Sequence, residues 1–307
     1  MSPLKTVACV TACNEERTIG PLVEALLTAR PDGVPIEEVV VVSSACTDAT
    51  DAIVAERAAR EPRVRLVAEP VRRGKAAAIA TFLALRPAGT DVTLLSSADV
   101  RPAAGAVEAI VEALRDGTVG MAGGRPVPQN PGNALVDRMA RLLWTLHHEV
   151  ALRSPKLGEL VAFRSDLVAT IDGDSPVDEA SLEAAVLSAG ARLAYVPDAV
   201  VENLGPATLR EWLSQRRRIA FGHRWLKRRE GYRVSTAGAA RARSWPSRSA
   251  PPPWRPGGSC SEGRTSSACS PGPTRRRLSS AASSSSPPSS SAGCGGTSSS
   301  ARSGTCR

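Results

Sequence analysis

The chain has 307 residues and a formal net charge of +9, enough for one large or two small domains. The charge is unevenly placed: residues 233–307 hold eleven arginines and one acid, Glu262, so residues 1–232 come to about −1. A near-neutral globular part does not argue for nucleic acid; no run of 18 apolar residues is long enough to span a membrane, and the seven cysteines show no CxxC or Cys/His ligand spacing that would hold zinc.

In chain order, residues 6–11 read as a short apolar strand and 17–29 as a helix with Pro21 near its first turn. Residues 39–42 are a continuous apolar run, as expected of a strand covered on both faces. Residues 47–60 follow as a helix, with Thr47 or Asp48 near its N-cap. Strands at 64–67 and 92–95 alternate with helices at 75–85 and 104–114. Such a series predicts an α/β fold with a mainly parallel sheet flanked by helices. Ligands of these sheets gather beyond the carboxyl ends of the strands. Cys13-Asn14-Glu15, Ser43-Ser44 and Ser97-Ala98-Asp99 all fall there.

After a strand at 119–121 the order is less regular. Residues 133–152 read as one long helix, 160–163 as a strand and 178–189 as a helix. Edge strands are expected at 193–196 and 200–201, then a helix at 208–229 with Leu209, Trp212, Leu213, Ile219 and Leu226 partly on one stripe. The folded domain is expected over residues 1–232. Residues 233–307 are Ser, Pro, Gly, Ala and Arg with Leu278 as the only aliphatic side chain larger than alanine. They cannot bury enough apolar surface to offset chain entropy, so a disordered tail is expected. Their small alphabet also resembles an out-of-frame translation of a GC-rich gene. The absence of a signal peptide makes a reducing cytoplasm the default.

Three features carry chemistry. Asp99, at the end of an apolar strand, is a candidate ligand for Mg²⁺ or Mn²⁺; an N-cap is the plain alternative. Asp178 and Glu179 open a helix, where a carboxylate can take a hydroxyl proton or merely favour the helix dipole. Adjacent positions diverge around a helix, so one of the two is expected to face the site. Gln215 and Arg218 share a helix face within Arg216-Arg217-Arg218, suited to a diphosphate or to a solvated basic surface. Lys227-Arg228-Arg229 beside Trp225 fit either a solvated face or a peripheral contact with an anionic membrane. His147-His148 diverge and read as structural.

The order of these elements resembles the inverting family 2 glycosyltransferases of GT-A fold. Thr11-Ala12-Cys13-Asn14-Glu15-Glu16 is similar to P-A-x-N-E-E, and residues 41–50, VVSSACTDAT, to V-V-D-D-G-S-T-D-G-T. Arg73-Gly74-Lys75 resembles N-x-G-K, Ser97-Ala98-Asp99 the D-x-D motif, Asp178-Glu179 the E-D pair and Gln215–Ile219 the Q-x-x-R-W element. The resemblance spans residues 5–229. It implies a nucleotide diphosphate-sugar donor, a hydroxyl acceptor and Glu179 as base. It places Thr11, Ala12, Asn14, Glu15, Ser44, Lys75, Ser97 and Ala98 around the donor with Gln215 and Arg218, and His223 as a further metal ligand beside Asp99. Gly158-Glu159 falls where the family shapes its acceptor pocket. Ser43, Ser44 and Ser97 depart from the acids of the pattern, and Ile219 from its Trp, so a single-transfer enzyme is expected rather than a processive one. A degenerate GT-A protein that only binds a nucleotide is the alternative. A nucleotidyltransferase is disfavoured because residues 11–17 contain no glycine.

If the tail arises from a frameshift, reading the gene in its other two frames yields an apolar continuation after codon 234. No such continuation in either frame marks the tail as the gene's own sequence.

Overall fold

The computed structural model describes residues 2–130, 132 and 134–234. The expected tail lies outside the described residues, apart from its first two positions. Strands β1 (Thr6–Ala12), β2 (Glu38–Ser44), β3 (Val64–Glu69), β4 (Val92–Ser97), β5 (Val100–Pro102), β6 (Val119–Pro128), β7 (Leu160–Arg164) and β8 (Arg192–Asn203) form one sheet in the order β3-β2-β1-β4-β7-β6-β8-β5. Strands β3, β2, β1 and β4 run parallel. β7 enters antiparallel between β4 and β6, and β5 antiparallel to β8. The helices are α1 (Ile19–Thr28), α2 (Thr50–Arg60), α3 (Lys75–Leu85), α4 (Ala106–Glu112), α5 (Leu135–Ala151), α6 (Asp178–Ser188) and α7 (Leu209–Glu230).

The apolar runs are explained by a core on each face of the sheet. Ala8 and Val10 of β1 and Val39 and Val41 of β2 join Leu22, Leu26 and Ile110 of α1 and α4 in one cluster. The alternate residues Val7, Cys9, Val40 and Val42 join Ile79, Phe82, Leu182 and Val186 of α3 and α6 in the other. Both sides of each central strand are therefore buried, which removes the polar alternation of a half-exposed strand.

Several expectations shift. Residues 193–196 and 200–201 are not edge strands but parts of one twelve-residue strand, β8, paired on one side to β6 and on the other to β5. Its register slips between Gly123 and Arg125 of β6, and the chain bends there without leaving the sheet. The second helix begins at Thr50 rather than 47, because the Asp48 carboxylate accepts from the Thr50 amide at 3.0 Å and holds the turn before it. Asp99 caps no helix; it stands in the turn between β4 and β5. α7 is capped as a box, with Thr208 Oγ1 accepting from Glu211 N at 3.2 Å and the Glu211 carboxylate accepting from Thr208 N at 3.3 Å. Its expected apolar stripe is not a core stripe: only Gly222 and Leu226 are buried, and Leu209, Leu213 and Phe221 are exposed.

Two contacts seat α7 on α6. A Cβ at Gly222 would stand 2.4 Å from Val177 Cγ1, so only glycine permits this approach directly before the acid pair. Beyond the helix, the Tyr232 hydroxyl donates to the fully buried Glu183 at 2.9 Å, and Val234 packs with Val177, Ala180 and Leu226. The packing thus continues past residue 232. Glu183 also accepts from Leu157 N at 2.7 Å and pairs with Lys156 at 3.1 Å. Tyr232→Phe leaves one of its oxygens unpaired, and denaturant unfolding is expected to show a loss of about 1–3 kcal/mol.

Candidate functional site

The carboxyl ends of β1, β2 and β4 lie side by side because their registers align: Thr11 pairs with Val42 and with Ser97. Thr11, Ala12 and Ala98 are buried there, and the Ala98 amide donates to the Thr11 carbonyl at 3.0 Å. Thr11, Ala12 and Ala98 therefore offer backbone rather than side chain. The two loops above are laced together. The Thr47 amide donates to Asn14 Oδ1 at 2.8 Å, and the Glu15 amide to Thr50 Oγ1 at 2.7 Å. Asn14 has a φ of 60° and Ala45 one of 50°. Asn tolerates this left-handed turn better than most residues.

Glu15 accepts from Thr18 Oγ1 at 2.9 Å. Burial pushes its carboxyl up, and the negative charges of Asp99 and Asp48 add to that. Glu15 and Asp99 thus share one rim. Asp99 is exposed and has no basic partner among the described residues. Ser44 is buried, with its hydroxyl 3.4 Å from Glu69, which in turn accepts from Arg73 at 2.6 Å and Thr81 at 2.7 Å. Ser44 is thereby turned toward Glu69 at the end of the neighbouring strand.

Opposite this rim stands the acid pair. Lys75, the first residue of α3, places its Nζ 3.0 Å from Asp178 Oδ2 and against Glu179 Oε1. Both carboxylates meet one cation, so the expectation that a single acid faces the site does not hold. The helix start lets the first two side chains fold back, and the longer Glu reaches round to the same ammonium. Burial and the adjacent Glu179 push the Asp178 carboxyl up. Burial acts the same way on Glu179, but Lys75 outweighs it and holds that carboxyl down at about 2. Burial disfavours the Lys75 ammonium, yet the charges of Asp178 and Glu179 more than restore it and raise its pKa. Lys75 was legible as a site residue; its pairing with acids more than a hundred residues away was not.

α7 closes the third side. Arg218 is exposed and donates to the Pro176 carbonyl at 3.3 Å, and Gln215 accepts from Arg216 at 3.0 Å. The arginine that turns inward is Arg216: half-buried, its Nε lacks a partner, and it faces Glu159. His223, one turn or so further on, is half-buried; burial, then Lys156 and Arg216, push its pKa down, so its ring is neutral at pH 7. Among the described residues no three His, Cys, Asp or Glu side chains converge as a ready-made metal site. One free carboxylate and one neutral imidazole still suit a divalent ion that takes its other ligands from phosphate and water. Glu159 and Asn203 also reach this space; neither carries a pattern strong enough to be singled out from sequence. His148 is structural, bonded at 2.8 Å to the Tyr195 hydroxyl, and His147 lies edge-on against Trp144.

Glu179 is depressed from an ordinary value near 4.5, so its ion pair stabilises the fold above pH 4.5 and is lost as pH falls toward 2. Lys75→Met leaves two adjacent carboxylates in a poorly solvated place. At pH 7 it is expected to cost about 3 kcal/mol or more, and the deficit should shrink on acidification as the acids protonate. Thermal melts of both proteins from pH 7 to pH 3 check this; a deficit independent of pH counts against the triad.

Comparison with known proteins agrees with this geometry. The family model for glycosyl transferase family 2 matches residues 7–163, half of the chain. No protein with a curated description matches. Among solved structures, the mannosyltransferase PcManGT from Pyrobaculum calidifontis, in complex with GDP-Man and Mn²⁺, is 25% identical with a TM-score of 0.57, over 80% of this chain and 67% of that one. Glucosyl-3-phosphoglycerate synthase from Mycobacterium tuberculosis, with Mn²⁺, UDP and glucosyl-3-phosphoglycerate, is 21% identical with a TM-score of 0.54, over 74% of this chain and 80% of that one. The mixed sheet with laced loops at the ends of β1, β2 and β4 is the GT-A fold, and the chain belongs to glycosyl transferase family 2.

Proposed function

We propose that this glycosyltransferase moves a sugar from a nucleotide diphosphate-sugar to an acceptor hydroxyl in one inverting displacement. The observation that carries the reading is the acid pair at the start of α6, set across a cleft from Asp99 and flanked by Arg216. The acceptor oxygen forms its bond to the anomeric carbon while the bond from that carbon to the diphosphate breaks. The electron pair leaves with the nucleoside diphosphate, and the acceptor proton passes to Glu179. In the free protein Glu179 is neutralised by Lys75 and is a weak base. A donor diphosphate competes for the same ammonium, so binding of the donor releases the carboxylate when it is needed.

Asp99 and His223 would hold Mg²⁺ or Mn²⁺, which supplies charge neutralisation on the leaving diphosphate. Arg216, with Gln215 orienting it, and Arg218 at the outer edge add positive charge on the same side. Thr11, Ala12, Asn14, Glu15, Ser44, Ser97 and Ala98 line the nucleoside end. The manganese complexes of the two solved transferases support this assignment. The catalytic unit is residues 1–232 together with the short segment that packs beneath α6. Among the described residues no helix is long and apolar enough to cross a membrane. Exposed Leu209, Leu213 and Phe221 among the arginines of α7 support a peripheral contact with an anionic membrane face, on the cytoplasmic side.

A second reading, a protein that binds a nucleotide without transferring, is favoured by Ser97 where the family pattern has an acid and by the unpartnered buried hydroxyl of Ser43. One experiment separates the two. Thermal stabilisation of the full chain by UDP-, GDP- and ADP-sugars, with and without Mn²⁺, should single out one donor class, and Asp99→Ala should abolish the manganese dependence. Glu179→Gln should keep that stabilisation while donor turnover falls by about 10²–10⁴-fold. Stabilisation without turnover in wild type establishes the binding-only protein; no stabilisation by any donor refutes both readings.

A further inference from the structure

Glu159 sits between Gly158 and the first residue of β7 with a φ of 65°. A left-handed backbone is costly for any residue with a Cβ. The neighbouring glycine, which adopts it freely, does not take that position. The side chain at 159 is therefore held in an unfavourable backbone that the surrounding structure enforces. Its carbonyl accepts from the Ser97 amide at 3.4 Å, which clips the turn onto the strand that ends at Asp99.

The carboxyl of Glu159 is faced from every side of the cleft: by Lys75 of α3, Asp99 after β4, Glu179 of α6, Asn203 of β8 and Arg216 of α7. Burial, opposed by Lys75 and helped by Asp99 and Glu179, pushes its pKa up to about 7. The cations near it are largely spoken for, since Lys75 pairs with Asp178 and Glu179, and Lys156 with Glu183. Asn203 is an independent pointer. It is 7% exposed, and its side chain hydrogen-bonds the Glu159 carboxyl. A carboxylate can only accept, so the Asn203 amide nitrogen makes that bond. Its Oδ1 is buried and has no partner. A native structure rarely leaves such an atom unpaired.

The two side chains together present acceptor oxygens next to the base. Hydroxyl groups complement such a surface. A carboxylate or phosphate would add charge beside Asp99, Glu159 and Glu179.

We propose that Glu159 and Asn203 form the acceptor-side subsite and select an uncharged, hydroxyl-rich acceptor over an anionic one. This rests on the transfer reading above. It also separates this chain from the solved synthase, whose complexes hold phosphoglyceric acid and glucosyl-3-phosphoglycerate.

The test loads the full chain with Mn²⁺ and the nucleotide sugar that stabilises it, then titrates two probes at equal millimolar concentration: glucose as the uncharged polyol and 3-phosphoglycerate as the anion. Further stabilisation is read by thermal melting, with circular dichroism of each unliganded variant as the folding control. Wild type should respond to glucose and not to 3-phosphoglycerate. Glu159→Gln and Asn203→Ala should each weaken the glucose response by about tenfold or more in apparent affinity. Glu159→Arg should reverse the preference. Wild type that prefers 3-phosphoglycerate, wild type that binds donor but answers neither probe, or a Glu159→Gln variant that keeps the wild-type responses each overturns the subsite. Failure of wild type to take any nucleotide sugar refutes instead the transfer reading on which it rests.

Discussion

The ammonium of Lys75 between the carboxylates of Asp178 and Glu179 is the interaction on which the rest of the site depends. Three charges in a poorly solvated place are tolerated only if they compensate one another. Because Lys75 opens α3 and the acids open α6, their pairing ties the nucleotide half of the sheet to the half that brings the base. It also sets a chemical tension. The cation that makes the acid pair foldable lowers the basicity of Glu179, so the resting protein carries its base in a masked form. A donor that supplies phosphate charge at this point resolves the tension in the direction of catalysis.

Around this contact the fold supplies position more than reactivity. The aligned registers of β1, β2 and β4 bring three loops to one edge, and hydrogen bonds between the loops after β1 and β2 fix their spacing. α7 is long yet buries little of its own surface; what seats it is Gly222 against Val177, one residue before the acids. The buried Glu183 gathers Lys156, Leu157 and Tyr232 beneath the same helix. The acid pair is thus supported from below while its upper face stays open to ligands. Arg216 rather than Arg218 turns toward that face, since Arg218 is drawn off to the carbonyl of Pro176.

Local rules are broken where the chemistry is. Glu159 occupies a backbone region that suits glycine, Asn203 keeps a buried oxygen unpaired, and Arg216 a buried nitrogen. Elsewhere the helices are capped or packed as their sequences expect, as in the Thr208–Glu211 box. Strain and missing partners concentrated at one cleft are what a site shaped for an absent ligand requires.

The sequence by itself determined the fold class and the general place of the site. Apolar runs such as residues 39–42 can only be strands buried on both faces, and their alternation with helices leaves few topologies. Asp99, the acid pair, Lys75 and the arginines of α7 were legible because each stands at the end of an element, where such residues have few structural uses. Tertiary structure decided which groups meet. That Lys75 joins both acids, that Arg216 and not Arg218 turns inward, that residues 193–203 form one interior strand and that Glu159 faces Asn203 all depend on contacts between distant segments. Local periodicity carries no information about such contacts, because they are set by strand order and by the side-chain packing that brings one helix start against another.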